Sequence, residues 1–207
     1  MLQLKGNRKT EESIKAFKEY KNRIIGYLVF NPHYSQLLIP ELDNLFKSGF
    51  FRGFKILSDY WNVSVADSRY NAIWEYADKY HLPILIHTWD GNYGNPSLFK
   101  DIVPKYPNAK FILGHSGGGD KGRPEAEKLA INNSNVYLEW CGSFLCTIPW
   151  EETISRVGNK QIVFGTDTYF HEPAWELGRL LSLDIADDEL IPILGSNMKK
   201  ILSEYRG

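Results

Sequence analysis

The stretch LPILIHTWDGNYGNPSLFKDIVPKYPNAKFILGH (82–115) determines the fold class of this chain. It contains two short apolar runs, PILIHT (83–88) and KFILGH (110–115), and a histidine lies at the end of each. Between them, the segment 95–106 carries apolar residues at helical spacing with a proline in its first turn, which predicts a helix. Strands that are apolar without alternation are typical of a parallel sheet buried on both faces.

The same alternation extends in both directions. Further apolar, β-branched runs predict the strands RIIGYLVF (23–30), FRGFKIL (51–57), VYLEW (136–140) and QIVFGTD (161–167). Helical spacing recurs over 10–21, 67–81 and 187–205, the last around a break at Gly195, and Pro124 and Pro173 are expected to begin two more helices. Strands alternating with helices leave two architectures, a doubly wound open sheet or a (β/α) barrel.

The spacing of the strands favours the barrel. The repeat is about 25 to 30 residues, the size of a barrel unit, and no glycine fingerprint follows strand 23–30, as a nucleotide-binding open sheet would require. We therefore predict one α/β domain over 1–207, of the TIM-barrel type, with about six of the eight strands.

Composition excludes several classes of function. The chain is 43% hydrophobic and has 24 basic against 25 acidic residues without a run of like charge, so we expect no nucleic-acid or membrane partner. We expect no signal peptide, because residues 1–15 contain no apolar segment, and no apolar stretch approaches the roughly 20 residues of a membrane helix. Its only cysteines, Cys141 and Cys146, are expected to be reduced, which is typical of a cytoplasmic protein.

Three ionisable residues end three of the predicted strands. His87 ends PILIH, His115 ends FILGH and Asp167 ends VFGTD. The carboxyl ends of parallel strands open on one face, so these side chains are expected to converge there. A lone histidine at a strand end is more often a structural hydrogen-bonding group, and an aspartate there is often a turn residue. All three together form the ligand set of zinc or a similar divalent ion.

At these residues the chain resembles the amidohydrolase-related metal-dependent hydrolases, in the branch of aminocarboxymuconate-semialdehyde decarboxylase-like enzymes. The matching phrases follow the family's order and cover nearly the whole chain: GYLVFNP (26–32), FFRGFKI (50–56), LPILIHT (82–88), KFILGHSGGG (110–119), VYLEWCG (136–142), IVFGTDTYF (162–170) and ILGSNMKKIL (193–202).

The resemblance implies a distorted TIM barrel and a role for each strand-end residue. His87 falls on a metal-ligating histidine, His115 on a histidine that ligates a second metal or polarises the substrate, and Asp167 on the aspartate that binds the metal and handles the proton of its water. The metal, expected to be zinc with manganese as the alternative, would lower the pKa of bound water to about 7. The reaction expected on a small organic substrate is hydrolysis of a C–N or C–O bond, with non-oxidative decarboxylation as the alternative.

The chain departs from the family at its start, because no His-x-His occurs in it. About two barrel units, which normally supply two further ligands, are expected to be missing, so we interpret the domain as N-terminally truncated. A degenerate member, an inactive fragment acting as a binding module, or a site completed by a neighbouring chain are the alternatives. Free sheet edges are expected to promote association into a homo-oligomer.

Five further residues are candidates for the substrate pocket. Lys55 lies on a strand as a pocket-lining lysine, and Glu139 ends another strand, where it orients a ligand or pairs with a cation. Arg123 could bind a carboxylate through both of its terminal nitrogens. Trp89 and Tyr169 follow strand ends and would suit an aromatic or otherwise apolar substrate.

Overall fold

A computed structural model describes residues 2–16, 23–142 and 146–206 of the chain. Its strands form one parallel sheet in the order in which they occur in the sequence. They are β1 (Gly26–Val29), β2 (Phe51–Ile56), β3 (Pro83–His87), β4 (Lys110–Gly114), β5 (Val136–Glu139) and β6 (Ile162–Val163). Within the described residues β1 and β6 do not pair, which confirms the expected incomplete barrel of six strands.

α-Helices lie in the connections between consecutive strands, except between β3 and β4, which 3-10 turns join. The α-helices are α1 (Leu2–Ala16), α2 (Ser35–Leu38), α3 (Leu42–Phe46), α4 (Ser58–Trp61), α5 (Asn71–Tyr80), α6 (Gly122–Asn132), α7 (Ile148–Val157), α8 (Pro173–Leu181), α9 (Asp187–Ile191) and α10 (Asn197–Ser203). None of the helices in the described part of the chain is both long and apolar enough to cross a membrane.

The two faces of the sheet are buried in different ways. One face carries residues in register across four strands, Phe54, Ile84, Phe111 and Val136, and these pack with helix residues in the main hydrophobic core. The opposite face, which we call the site face, carries Lys55, Leu85, Ile112, Tyr137 and Val163. Both faces are therefore covered, which is why the strands read as continuous apolar runs.

The C-terminal helix covers part of the site face. Ile201 of α10 is fully buried and packs with Ile112, Tyr137 and Val163 in a separate small core, to which Leu85 and Met198 add. In a closed barrel this face lines the interior.

Segment 95–106 differs from the prediction. It forms two short 3-10 turns, Pro96–Phe99 and Val103–Lys105, instead of one helix. Pro104 explains the break, since a proline inside a helix removes one hydrogen bond and clashes with the preceding turn. Phe99 and Val103 are nevertheless buried, as the apolar spacing predicts.

The ends of the chain's last strand and last helix also differ from the prediction. β6 covers only Ile162–Val163, because the N–H of Phe164 donates to the carbonyl of Ile193 rather than continuing the sheet ladder. Gly195 does not break the C-terminal helix. It lies in a π-helical segment, Pro192–Ser196, that joins α9 to α10.

Candidate metal and catalytic centre

The predicted site residues lie at the carboxyl end of the sheet. His87 is the last residue of β3, His115 directly follows β4, Glu139 is the last residue of β5, and Asp167 lies four residues beyond β6. Because the strands are parallel and the extensions beyond them are short, these residues lie together at one end of the sheet, as predicted from sequence.

A cavity of about 410 Å³ lies between the sheet and α10 at this end. Its ionisable lining residues are Tyr27, Lys55, His115, Glu139, Cys141 and Asp167. Its apolar walls come from the site face, from α10 and from the chain before β1: Ile25, Leu85, Ile112, Met198 and Leu202. The cavity therefore combines a small cluster of charged and polar groups with an apolar surface, the composition of a small-molecule site.

Three of these residues are close enough to bind one metal ion. Among the described residues, one donor atom each from His115, Cys141 and Asp167 lies within 4.8 Å of the other two. Imidazole, thiolate and carboxylate are the ligand types of zinc and similar divalent ions. The chemistry of the donor set thus fits a divalent metal.

The backbone at two of these residues is strained. His115 has a φ of 64° and Asp167 a φ of 48°, in the left-handed region that residues with side chains rarely adopt. Such conformations persist where the surrounding structure imposes them, and they cluster at functional sites. Both side chains are thereby directed by the turn that follows their strand, which supports a functional role for the pair.

The ring of His115 is fixed by the chain after β5. His115 is only 8% exposed, and its Nδ1 lies 2.7 Å from the carbonyl oxygen of Cys141. A carbonyl oxygen only accepts hydrogen bonds, so Nδ1 carries a hydrogen and Nε2 is the nitrogen left to bind an ion. Metal-binding histidines commonly donate their other ring N–H to a carbonyl in this way.

Glu139 holds the residues around it in place. Its carboxylate accepts hydrogen bonds from the N–H of Cys141 at 2.9 Å, from the Cys141 thiol at 2.9 Å and from the N–H of His115 at 3.4 Å. Burial raises the pKa of Glu139 above its usual value, although the Cys141 hydrogen bonds and the nearby His115 and Lys55 oppose the shift. Of its two predicted roles, the orienting one matches these contacts.

Lys55 brings a cation to the same cavity. It lies on β2 at the register position of Leu85 and lines the same cavity as Asp167 and Glu139. Burial lowers the pKa of its ammonium group, while the neighbouring Glu139, Cys141 and Asp167 act in the opposite direction.

His87 lies beside this cluster. Its ring centroid is 4.8 Å from that of His115, and it also contacts the rings of Tyr60 at 5.2 Å and Trp89 at 6.4 Å. Burial, with the nearby His115 and Lys55, lowers the pKa of His87 to about 4, so the ring is neutral at pH 7. Among the described residues His87 does not belong to the group whose donor atoms lie within 4.8 Å, so its role as a ligand stays a prediction.

Trp89 and Tyr169 do not line the central cavity. Trp89 lines a neighbouring cavity of about 370 Å³ together with His87, Asp59, Tyr60 and Gly91. Tyr169 is fully exposed. Its φ of 80° lies in the turn after Asp167, which directs its ring away from the cavity into solvent.

Arg123 does not line the central cavity. Its guanidinium group pairs with Glu127 at 3.3 Å and Glu152 at 3.0 Å, and it donates to the carbonyl of Pro149. These contacts join α6 to α7 on the outside of the sheet, because the glycine-rich turn after His115 carries the chain away before α6 begins.

Cys141 is the site residue that the sequence did not reveal. It is 7% exposed, forms no disulfide and lies two residues beyond Glu139. The one signal available was its place directly after the predicted strand 136–140, close to the strand-end positions that His87 and His115 occupy in theirs, but a single cysteine there is more often a buried apolar residue.

Comparison with known proteins identifies the family of this chain. A family model described as amidohydrolase matches residues 1–203. A search of curated protein sequences gives no match.

Several solved structures share the fold at low sequence identity. A TIM-barrel protein from Bordetella bronchiseptica is 16% identical with a TM-score of 0.80, and the match covers 94% of this chain and 72% of that one. 5-Carboxyvanillate decarboxylase from Sphingomonas paucimobilis is 14% identical with a TM-score of 0.75, covering 98% and 72%. Dihydroxybenzoic acid decarboxylase from Polaromonas sp. JS666, which holds manganese and the inhibitor 2-nitroresorcinol, is 17% identical with a TM-score of 0.74, covering 99% and 78%.

These likenesses agree with the parallel sheet of this chain. The match of the family model over nearly the whole length is the deciding observation. The chain belongs to the amidohydrolase family.

Proposed function

We propose that this chain is a metal-dependent enzyme that acts on a small organic acid in the cavity of about 410 Å³. The observation that carries the proposal is the convergence of His115 and Asp167, from two different strands, on one cavity with strained backbones at both. His115 and Asp167 would hold the divalent ion, and the neutral ring of His87 beside them would be a further ligand. Zinc is the ion we propose, with manganese as the alternative.

Non-oxidative decarboxylation is the reaction that we favour. Lys55 places one cation among apolar walls, an arrangement that would bind a carboxylate and exclude water from the rest of the substrate. Decarboxylases of aromatic acids are among the solved structures with this fold. The divalent ion would supply a Lewis acid that polarises a substrate oxygen and acidifies water.

The side chains of the site have separate tasks in this proposal. Lys55 binds the substrate carboxylate, and Glu139 keeps His115 and Cys141 in position through its hydrogen bonds. Asp167 is the proton carrier, because its carboxylate can take up a proton from water in the cavity and deliver it to the carbon that keeps the bonding electron pair when carbon dioxide leaves.

Hydrolysis of a C–N or C–O bond is the second candidate. The feature that favours it is the same carboxylate, since Asp167 lies where it could accept a proton from an attacking water. The two reactions differ in their products and can be separated by assay.

Metal content and turnover test the proposal together. The wild-type protein and the variants His115→Ala and Asp167→Ala are dialysed against zinc or manganese, and bound metal is counted. We expect about one ion per wild-type chain and little in either variant. Turnover is followed as carbon dioxide release from aromatic carboxylic acids and as hydrolysis of esters and amides, and we expect a loss of at least about 100-fold in both variants.

His33→Ala is the matched control, because His33 is exposed and contacts the carbonyl of Trp61 outside the cavity. Metal retained in both site variants would overturn the ligand assignment. A wild-type protein that binds metal but converts no compound of either class would favour the binding module over the enzyme.

A further inference from the structure

Cys141 lies among the proposed metal ligands, although neither the strand pattern nor the proposed function assigns it a role. We propose that its Sγ atom is a ligand of the metal together with His115 and Asp167, and that it makes the centre selective for ions that bind sulfur well, such as zinc and cobalt, over manganese. This inference rests on the proposed function in one respect, that the cavity holds a divalent ion.

The position of the sulfur is set by both backbone groups of its residue. The N–H of Cys141 donates to Glu139 Oε1 at 2.9 Å, and its carbonyl accepts from His115 Nδ1 at 2.7 Å. The next residue, Gly142, turns the chain away with a φ of 58°, and its N–H donates to the buried Glu176 at 3.2 Å. The turn is therefore held on both sides, and the side chain of Cys141 lines the cavity.

The distances suit coordination after a small contraction. Zinc lies about 2.3 Å from cysteine sulfur, about 2.0–2.1 Å from histidine nitrogen and about 2.0–2.2 Å from carboxylate oxygen, so its ligand atoms are about 3.3–3.8 Å apart. One donor atom each from His115, Cys141 and Asp167 lies within 4.8 Å of the other two, and the Cys141 sulfur is 3.6 Å from His115 Nδ1. A closure of about 1 Å, with side-chain rotations that bring His115 Nε2 towards the sulfur and the carboxylate, would form the site.

Charge and softness both favour the thiolate as a ligand. Lys55 lines the same cavity, and its positive charge opposes a divalent cation. A thiolate at Cys141 and the carboxylate of Asp167 together carry the two negative charges that balance the ion. Thiolate also prefers zinc-like ions, whereas manganese prefers oxygen ligands. The thiol hydrogen, now donated to Glu139 Oε2 at 2.9 Å, leaves as a proton when sulfur binds the metal.

Cobalt substitution tests the inference by spectroscopy. The chain has two cysteines, so the Cys146→Ser variant leaves Cys141 as its only sulfhydryl group. We expect a thiolate-to-cobalt charge-transfer band in the near ultraviolet for both the wild-type protein and Cys146→Ser, and none for Cys141→Ser. In zinc and manganese titrations, Cys141→Ser should lose at least about tenfold in zinc affinity, and less in manganese affinity.

Each outcome bears on the inference. Cobalt bound by Cys146→Ser without the band overturns the sulfur ligand and leaves the proposed metal enzyme standing. The band persisting in Cys141→Ser, or equal losses of zinc and manganese affinity, also overturns it. Failure of the wild-type protein to bind cobalt, zinc or manganese overturns both proposals. The measurement on Cys146→Ser remains valid even if Cys141→Ser fails to fold. Cys146 is exposed and outside the cavity, so we expect its replacement to leave the site intact.

Discussion

At the scale of single residues, the site depends on the carboxylate of Glu139, which contacts His115 and Cys141. Glu139 is 6% exposed and accepts hydrogen bonds from the backbone of both His115 and Cys141. Gly165, on the neighbouring chain segment after β6, leaves the space that this carboxylate occupies. A Cβ atom at Gly165 would lie 1.8 Å from Glu139 Oε1. Because Gly165 has no side chain, the Glu139 carboxylate can occupy the position from which it orients His115 and Cys141.

The Gly165→Ala substitution should destabilise the protein. The Glu139 carboxylate is buried and held by hydrogen bonds, so it cannot move away cheaply, and we expect a loss of about 1–3 kcal/mol in the free energy of unfolding. The measurement is urea denaturation followed by circular dichroism, with metal binding measured in parallel.

Gly178→Ala is the control for that measurement. Gly178 lies inside α8, where an added Cβ meets nothing within 4 Å. Replacing a helical glycine by alanine there should stabilise the protein by about 0.5–1 kcal/mol. Equal stability of both variants would show that Glu139 is not held as the geometry indicates.

At the scale of secondary-structure elements, α1 covers part of the edge of β1. The Asn7 side chain donates to the carbonyl of Val29 at 3.1 Å and accepts from its N–H at 3.2 Å, so it replaces a neighbouring strand at one residue. Asn7 is 5% exposed. An edge strand with unpaired backbone groups is a template for association, and this amide pair blocks one position of it.

The Asn7→Ala substitution should weaken folding and favour association. Two backbone groups of Val29 lose their partner, which lowers the free energy of unfolding by about 1–3 kcal/mol. The higher helix propensity of alanine offsets about 0.5 kcal/mol of this loss. Denaturant unfolding gives the stability, and light scattering after gel filtration gives the mass.

Asn44→Ala provides the same substitution in an exposed position of α3, and we expect a change within about 0.5 kcal/mol there. An Asn7→Ala protein with wild-type stability and mass would mean that α1 does not protect the edge.

At the scale of the whole molecule, the C-terminal helix closes one side of the open sheet. Ile201 of α10 packs against the site face, and Met198 and Leu202 of the same helix line the cavity. The helix is tied to the last strand by the side chain of Asn197, which donates to the carbonyl of Ile162 at 2.7 Å. The wall of the candidate site and the packing of the sheet thus depend on the same element.

The Ile201→Ala substitution should therefore lower stability strongly. A fully buried isoleucine truncated to alanine costs about 2–5 kcal/mol, because the cavity left behind adds to the lost transfer energy. Ile191→Ala, on the exposed side of α9, is the matched control with an expected change within about 0.5 kcal/mol. The free energy of unfolding of the two variants is measured by guanidinium denaturation. Similar free energies for both would show that α10 does not pack on the sheet.

Much of the fold was predictable, because strands buried on both faces leave long apolar runs in the sequence. The strands ending at His87 and His115 were identified in this way, and both histidines lie at the carboxyl end of the sheet. The helix expected over 95–106 was wrong, since Pro104 interrupts a segment whose apolar spacing is otherwise helical. The length of β6 was also overestimated, because its pairing is set by a partner some 30 residues later in the chain, at Ile193.

By itself, the sequence determined the parallel α/β architecture and the face on which the ionisable residues meet, since both follow from local periodicity and from the direction of the strands. Only the tertiary structure decided which of those residues share a cavity. It brought Cys141 to His115 and Asp167, and it carried Arg123 to the outer helices. Both placements depend on the left-handed turns after His115 and at Gly142, whose direction is set by contacts with distant residues, Glu139 and Glu176, that no local pattern encodes.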